Sequence, residues 1–336
     1  MRLKDIGEDK LIELIKEQCH TEDKSVLCGV GDDTAVTRTD GNTCLLSTTD
    51  TLNEGIHFNL SKHPPLELGK KAISVSLSDI ASMGGVPRFC LVSITAKKTT
   101  TTKFIEELYH GLNMRAKEFG VSIIGGNTST GEYFSVTTTL LGEAKEEVVL
   151  YRSGARIGDI LYVSGTLGDS ALGLKLLTSK ENSDNQLSSA IKKHLDPEPR
   201  VGLGRILGER KIPSSMTDVS DGLIKDAGHI AIASNVWVNI NSDNLPFSKE
   251  AKKHPKDKEL LILGGEDYEL LFTAPPEKDF EITKISKELN LQITAIGDII
   301  ENSTVKTNNP EPVTITNKNG INLKIELEGY EHFITK

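Results

Sequence analysis

The chain is expected to fold as a two-domain α/β (α+β) protein, and three observations predict this. Its 336 residues are more than one core of ordinary size organises, at roughly 100 to 200 residues per domain. Segments with strand character and segments with helical periodicity alternate along the chain. Near residue 150, between "GEAKEEVVL" and "YRSGARIGD", the sequence turns polar and glycine-containing, which puts the expected boundary between residues 1–148 and 149–336.

The elements follow in order. In "DKLIELIKEQ", Leu11, Ile12, Leu14 and Ile15 recur at helical spacing and predict a helix leading to a loop with Asp32 and Asp33. "TCLLSTTDTL" reads as a strand that ends in polar residues. "KKAISVSLSDIASM" reads as a helix over 70–83, closed by Gly84 and Gly85 with Pro87 beyond. "RFCLVSITA" and "EYFSVTTTLLGEA" read as strands, separated by a helix around "TKFIEELYHGLNMRAKEFG" and the short run "VSIIGGNTSTG". In the second half, the strand "ILYVSG" leads through "TLGDSALGLKLL" into a helix. In "SMTDVSDGLIKDAGHIAIAS" a strand end delivers Asp218, Ser220 and Asp221 to a turn, and Gly222 opens another helix.

Composition limits the function classes. Apolar residues make up 37% and charged residues 26%, a globular balance, and no apolar run approaches the roughly 18 residues of a membrane span. The N-terminal stretch lacks the pattern of a secretory signal, so a cytoplasmic location is expected. The four cysteines, Cys19, Cys28, Cys44 and Cys90, form no C-x-x-C pair and read as reduced thiols. A net charge of -9 argues against nucleic acid or an anionic membrane as partner. It leaves room for a phosphorylated small molecule if divalent cations stand between the anion and an acidic site.

The acidic residues are placed for that chemistry. Asp32, Asp33, Asp50, Asp218 and Asp221 stand at loops or element ends beside Gly, Ser or Thr, whereas Asp79 lies in an uncharged helical stretch whose neighbours suggest burial. A buried carboxylate needs a cation or a hydrogen-bond partner, and Lys70 and Lys71 lie too far along the helix to serve. Carboxylates with Ser and Thr hydroxyls, and no imidazole or thiolate, form a hard oxygen set that suits magnesium. Helix capping accounts for Asp221 equally well. The glycine-rich turns "GGNTSTG" and "SGTLGDSALG" admit phosphate but match neither a P-loop nor a dinucleotide fingerprint. His57, the "GGEDYELLF" cluster around Tyr268, and Tyr330 each have a packing or solvated-turn reading as good as a binding one.

Eight motifs in this order, "GVGDDTAV", "STTDTLNEGIHF", "SVSLSDIASMGG", "IIGGNTS", "RSGARIGD", "VSGTLGDSALGL", "TDVSDGLIKD" and "GGEDYEL", resemble the thiamine-monophosphate kinases over nearly the whole chain. These belong to the superfamily of aminoimidazole ribonucleotide synthetase. The resemblance implies the two-domain aminoimidazole ribonucleotide synthetase-like fold with mixed sheets, in a homodimer whose N-terminal sheets pair. It implies transfer of the ATP γ-phosphoryl group directly to thiamine monophosphate, the last step to thiamine diphosphate. Carried over by position, Asp32, Asp33, Thr48, Thr49, Asp50, Asp79, Asn127, Asp218 and Asp221 would hold Mg2+, with Asp33, Asp50, Asp79 and Asp218 nearest the chemistry. Tyr109, Gly125, Gly126, Asn127, Arg152 and Ser220 would contact ATP, and His57, Glu266 and Tyr330 the thiamine phosphate.

One departure stands out. Where the family often has Asp after the glycine pair, this chain has Asn127, and Thr130 stands where Arg is common; Asn brings an oxygen but no charge, so a raised magnesium requirement is expected. The competing readings are an aminoimidazole ribonucleotide synthetase and an inactive ATP- or metal-binding regulator.

Overall fold

The computed structural model describes residues 2–19, 21–179, 188–301, 312–319 and 321. The first part contains α1 (Gly7–Gln18), β1 (Val26–Cys28), β2 (Ala35–Arg38), β3 (Thr43–Asn53), α2 (Pro65–Ser82), β4 (Val86–Ala96), α3 (Thr102–Glu118), β5 (Ser122–Thr130) and β6 (Ser135–Lys145). Its six strands form one sheet in the order β1-β2-β3-β6-β4-β5, antiparallel except for the parallel pair β4 and β5.

The second part continues with β7 (Ile160–Ser164), α4 (Asp169–Thr178), α5 (Ser189–Leu195), α6 (Val201–Glu209), β8 (Ser215–Asp218), α7 (Leu223–Ser234) and β9 (Trp237–Asn241). It ends with α8 (Lys258–Leu263), β10 (Leu270–Ala274), α9 (Asp279–Glu288), β11 (Ile293–Ile300) and β12 (Val313–Thr316). The second sheet runs β12-β9-β11-β7-β10-β8, again antiparallel except at β12 and β9. Two mixed sheets with helices are the architecture the sequence led us to expect.

Helix α2 organises the molecule. Its apolar residues Leu68, Ala72, Ile73, Leu77 and Ile80 are buried against Leu46 and Leu140 of the first sheet, in a core that extends to Met216, Leu270 and Phe272 of the second. On β10, Leu270 and Phe272 face this core, while Leu271 faces a second core with Leu161, Val163, Val238 and Leu223. That period of two explains why "LLF" is apolar throughout: both faces of the strand are covered. Helices α2 and α3 cross closely because glycines stand at the contact; a Cβ on Gly69 would lie 2.1 Å from the Leu108 carbonyl oxygen, and one on Gly111 1.9 Å from that of Leu66. Helix α2 stops as expected, with Gly84 in the left-handed region (φ 73°) and the Gly85 N–H bonded to the Ile80 carbonyl.

The "IIGGNTS" run is a full strand, β5, rather than a short connection. Gly126 has φ 153°, and a Cβ there would lie 1.7 Å from the Val92 carbonyl oxygen, so only glycine lets β5 pair with β4. A second run with a glycine pair, "ILGGEDY", instead leaves α8 for the loop before β10. Among the described residues, no helix is long and apolar enough to cross a membrane.

Candidate active site

Four carboxylates converge at α2: one from each sheet, Asp50 and Asp218, with Asp79 of the helix itself and Asp33 from the loop after β1. Strand β3 alternates its side chains, so Thr48 and Asp50 join Leu46 and Leu52 on the face toward α2, while Thr49 and Thr51 point the other way. Ser76 and Ser78 stand two positions apart on α2, roughly 200° around the helix axis, and so reach opposite sides. Ser76 Oγ donates to Asp50 Oδ2 of the first sheet (2.7 Å), and Ser78 Oγ to Asp218 Oδ2 of the second (2.5 Å). Asp79 takes the hydroxyl of Thr48 and lies within hydrogen-bond reach of Asp50. It is partly rather than fully buried, and its partners are a hydroxyl and another carboxyl.

Asp33 completes the group from the loop after β1. Its side chain is only 1% exposed; Oδ1 accepts from Arg152 Nε (2.9 Å), Arg152 Nη2 (2.5 Å) and Thr217 Oγ1 (3.2 Å). Its other oxygen, Oδ2, is buried with no hydrogen-bond partner. Asp32 is turned to the backbone, accepting from the N–H groups of Asp33 (3.0 Å) and Arg152 (3.2 Å).

The electrostatics follow from the crowding. Burial, then the charges of Asp50, Asp218 and Asp33, push Asp79 well above the usual carboxylate range. Burial and Asp33 raise Asp218 to about 7, against the Ser78 hydrogen bond that lowers it. Burial also raises Asp50, and burial with the Asp33 charge brings Asp32 to about 6. Carboxylates that repel one another, one with an orphaned buried oxygen, make an oxygen-only set that fits a hard divalent cation. Among the described residues no three His, Cys, Asp or Glu side chains are already gathered in ligating geometry; each carboxylate is turned toward a hydroxyl, an amide or Arg152 instead.

The turn after β8 borders this group. Ser220 Oγ donates to Asp218 Oδ1 (3.2 Å), and Asp221 pairs with Lys225 (2.8 Å). Asp221 does not cap α7. The turn is instead tied to the helix by Asp226, whose Oδ2 accepts from the N–H groups of Asp221 (3.1 Å) and Gly222 (3.0 Å). The loop 264–269 lies against the turn through Glu266 N–H to the Ser220 carbonyl (2.7 Å) and Tyr268 N–H to that of Val219 (2.9 Å). Glu266 (φ 64°) and Tyr268 (φ 51°) both hold the left-handed conformation, a strain sustained by surrounding contacts. The loop is not a solvated turn: Tyr268 is 7% and Glu269 2% exposed, and Glu269 is bound by Arg200 and Ser164.

Glu266 sits in a polar network that sequence reading missed. Lys71 of α2, 1% exposed, places Nζ 2.8 Å from Glu266 Oε1, and His194 Nδ1 lies 3.4 Å from Oε2. His63 Nδ1 lies 3.2 Å from the Asn59 N–H and 3.1 Å from the Asn59 carbonyl oxygen, and its Nε2 faces His194 Nε2 at 3.2 Å. His194 Nδ1 lies 3.0 Å from Ser170 Oγ, on the side of Glu266. Burial, then Lys71 and His63, lower His194 to about 2, so it is neutral. Glu266 also lines a cavity of about 350 Å³ with Arg200, Lys193 and Ser170.

The remaining expected residues stand apart. Gly125, Gly126 and Asn127 lie on β5, with β4 and β6 between them and β3; three inter-strand steps, roughly 14 Å, separate Gly126 from Asp50. Tyr109 is half-buried on α3 over the same part of the sheet. Thr49 Oγ1 meets Thr139 Oγ1 (3.1 Å) on the outward face, away from the carboxylates. His57 is tied to its own turn, Nδ1 accepting from Asn53 N–H (3.0 Å). Tyr330 lies outside the described residues. Ser76, Ser78, Lys71, His63 and His194 carried no signal beyond an ordinary helix or loop composition.

Comparison with known proteins identifies the family and the fold. Residues 31–144 match the family model of the AIR synthase related protein N-terminal domain, and residues 156–308 that of the C-terminal domain. The chain is similar to the thiamine-monophosphate kinase of Aquifex aeolicus, 38% identical over 99% of this chain and 100% of the relative. It is 37% identical to that of Bacillus subtilis, over 92% and 94% of the two chains. The solved structure of AaThiL complexed with AMPPCP and TMP superposes with a TM-score of 0.83 at 36% identity, covering 99% of both chains.

Proposed function

The chain belongs to the thiamine-monophosphate kinase family, and we propose that it transfers the γ-phosphoryl group of ATP to the phosphate of thiamine monophosphate, yielding thiamine diphosphate and ADP. The observation that carries this reading is the superposition over 99% of both chains on a protein solved with AMPPCP and TMP.

Both reactants are phosphate anions, and the pocket that receives them is lined by carboxylates. Magnesium, when bound, supplies the positive charge that lets the anions meet and that takes up charge in the transition state. Asp33, Asp50, Asp79 and Asp218 would hold it, with the Thr48 hydroxyl beside them; Asp32, Thr49, Asn127 and Asp221 are the outer candidates. Ser76 and Ser78 hold Asp50 and Asp218 from α2, so the two sheets present their carboxylates at a fixed separation. Arg152 and Ser220 would meet the nucleotide, and His57 and Glu266 the thiamine phosphate, with Tyr330 a further candidate outside the described residues. The acceptor phosphate is already an anion at neutral pH, so no general base is assigned, and positioning with charge neutralisation supplies the rate.

A homodimer belongs to the same proposal. Phe89, Leu91 and Ile124 are exposed on β4 and β5, and pairing of this sheet with a second copy would cover them. Tyr109, Gly125, Gly126 and Asn127, remote from the carboxylates within one chain, would then lie at or near the interface. The cytoplasmic location is proposed with it, in keeping with four free cysteines. The test is ADP release with thiamine monophosphate beside an aminoimidazole ribonucleotide synthetase substrate. Release with the first alone supports the kinase; release with the second, or with no acceptor dependence, overturns it.

A further inference from the structure

We propose that Lys71 is a positioning residue that sets how Glu266 meets the thiamine end of the substrate, and so contributes to acceptor specificity without touching the reacting phosphates. This rests on the reading that Glu266 contacts thiamine monophosphate.

Lysine is rarely found almost fully buried, and Lys71 of α2 is 1% exposed. Among the described residues its ammonium makes no hydrogen bond of good geometry, and it pairs with Glu266 Oε1 at 2.8 Å. The other carboxylate oxygen lies 3.4 Å from His194 Nδ1, and His194 Nε2 meets His63 Nε2 at 3.2 Å behind it. Lys71 and His194 thus approach the two oxygens from the protein side, while the side chain remains 26% exposed toward the 350 Å³ cavity. The backbone of Glu266 is fixed as firmly, by its N–H bond to Ser220 and its left-handed φ of 64°.

Helix α2 connects this residue to the chemistry. Lys71 and Ser78 are seven residues apart, two turns and about 10 Å along one face. Ser78 holds Asp218 and Lys71 holds Glu266, so a single rigid helix sets the distance between the phosphate-binding carboxylates and the carboxylate that reads the acceptor. Such spacing matters where binding of the remote part of a substrate aligns the reacting part.

The test compares Lys71→Met, Glu266→Gln and the double variant. In Lys71→Met, KM for thiamine monophosphate should rise about tenfold with kcat changed less than about threefold and KM for ATP unchanged. Calorimetric binding of thiamine monophosphate without ATP should weaken by the same factor. Glu266→Gln should raise KM comparably, and the double variant should equal Glu266→Gln alone, because Lys71 acts through that carboxylate. If Lys71→Met does not fold, the double variant, which removes both partners, still decides: a KM above that of Glu266→Gln overturns the proposal. An unchanged KM in Lys71→Met, with a raised KM in Glu266→Gln, overturns the role of Lys71 and leaves the Glu266 contact standing. An unchanged KM in both removes the Glu266 contact itself and the proposal with it.

Discussion

Arg152 grips Asp33 through Nε and Nη2 on the same oxygen, Oδ1, at 2.9 and 2.5 Å, while Oδ2 of the same carboxylate is buried without a partner. The guanidinium thus neutralises a carboxylate that is also the best candidate to hold magnesium. One side chain cannot serve a metal ligand and a nucleotide phosphate equally, so the pair should exchange partners on loading. Arg152→Met should weaken ATP binding, yet tighten binding of Mn2+ in the absence of nucleotide by about tenfold, since the competing cation is gone. Electron paramagnetic resonance of free Mn2+ reads the second effect, and an unchanged or weakened affinity would contradict it.

Asp79 gives a prediction with opposite signs for stability and activity. Burial and three neighbouring carboxylates disfavour its charge, so without divalent cation Asp79→Asn should be more stable at pH 7.5 by about 1 kcal/mol. Urea unfolding checks this. Turnover of the same variant should fall by about a hundredfold or more, because charge that repels in the empty protein is the charge that would hold magnesium under the proposed function.

Asn127→Asp restores a carboxylate next to the glycine pair. It should lower the magnesium concentration needed for half-maximal activity, and superimposable titration curves for the two proteins would sink the idea.

His194 predicts a pH dependence of stability. Its folded pKa is lowered to about 2 from 6.5, so only the unfolded chain binds its proton as pH falls below 6.5. Stability is unaffected above that value and is lost below it, at up to about 1.4 kcal/mol per pH unit for this one group. His194→Gln should therefore lose about 1 kcal/mol less than the unmodified protein between pH 7 and 5.5, measured by chemical denaturation at each pH.

Much of this was legible in the sequence because each feature had a local cause. Glycines after apolar runs marked helix ends, the polar stretch near residue 150 separated the strands that form the two sheets, and aspartates at strand ends pointed to the cluster. What was missed depends on distance in space. Ser76 and Ser78 look alike in "SVSLSD", and only a helix lying between two sheets gives each its own carboxylate. Lys70 and Lys71 read as one basic pair, yet the first binds Asp196 near the surface and the second enters the interior. Thr48 and Thr49 were expected to act together, although strand alternation sends their side chains to opposite faces. "VSIIGGNTSTG" concealed β5, since two adjacent glycines are a poor strand signal unless the partner backbone requires them.

The measurement that tests the central claim most directly is phosphorus NMR of the purified protein with ATP, magnesium and thiamine monophosphate. Direct transfer predicts diphosphate resonances of thiamine diphosphate growing in step with ADP, in equal amounts. Untouched ATP, or release of inorganic phosphate alone, would contradict it.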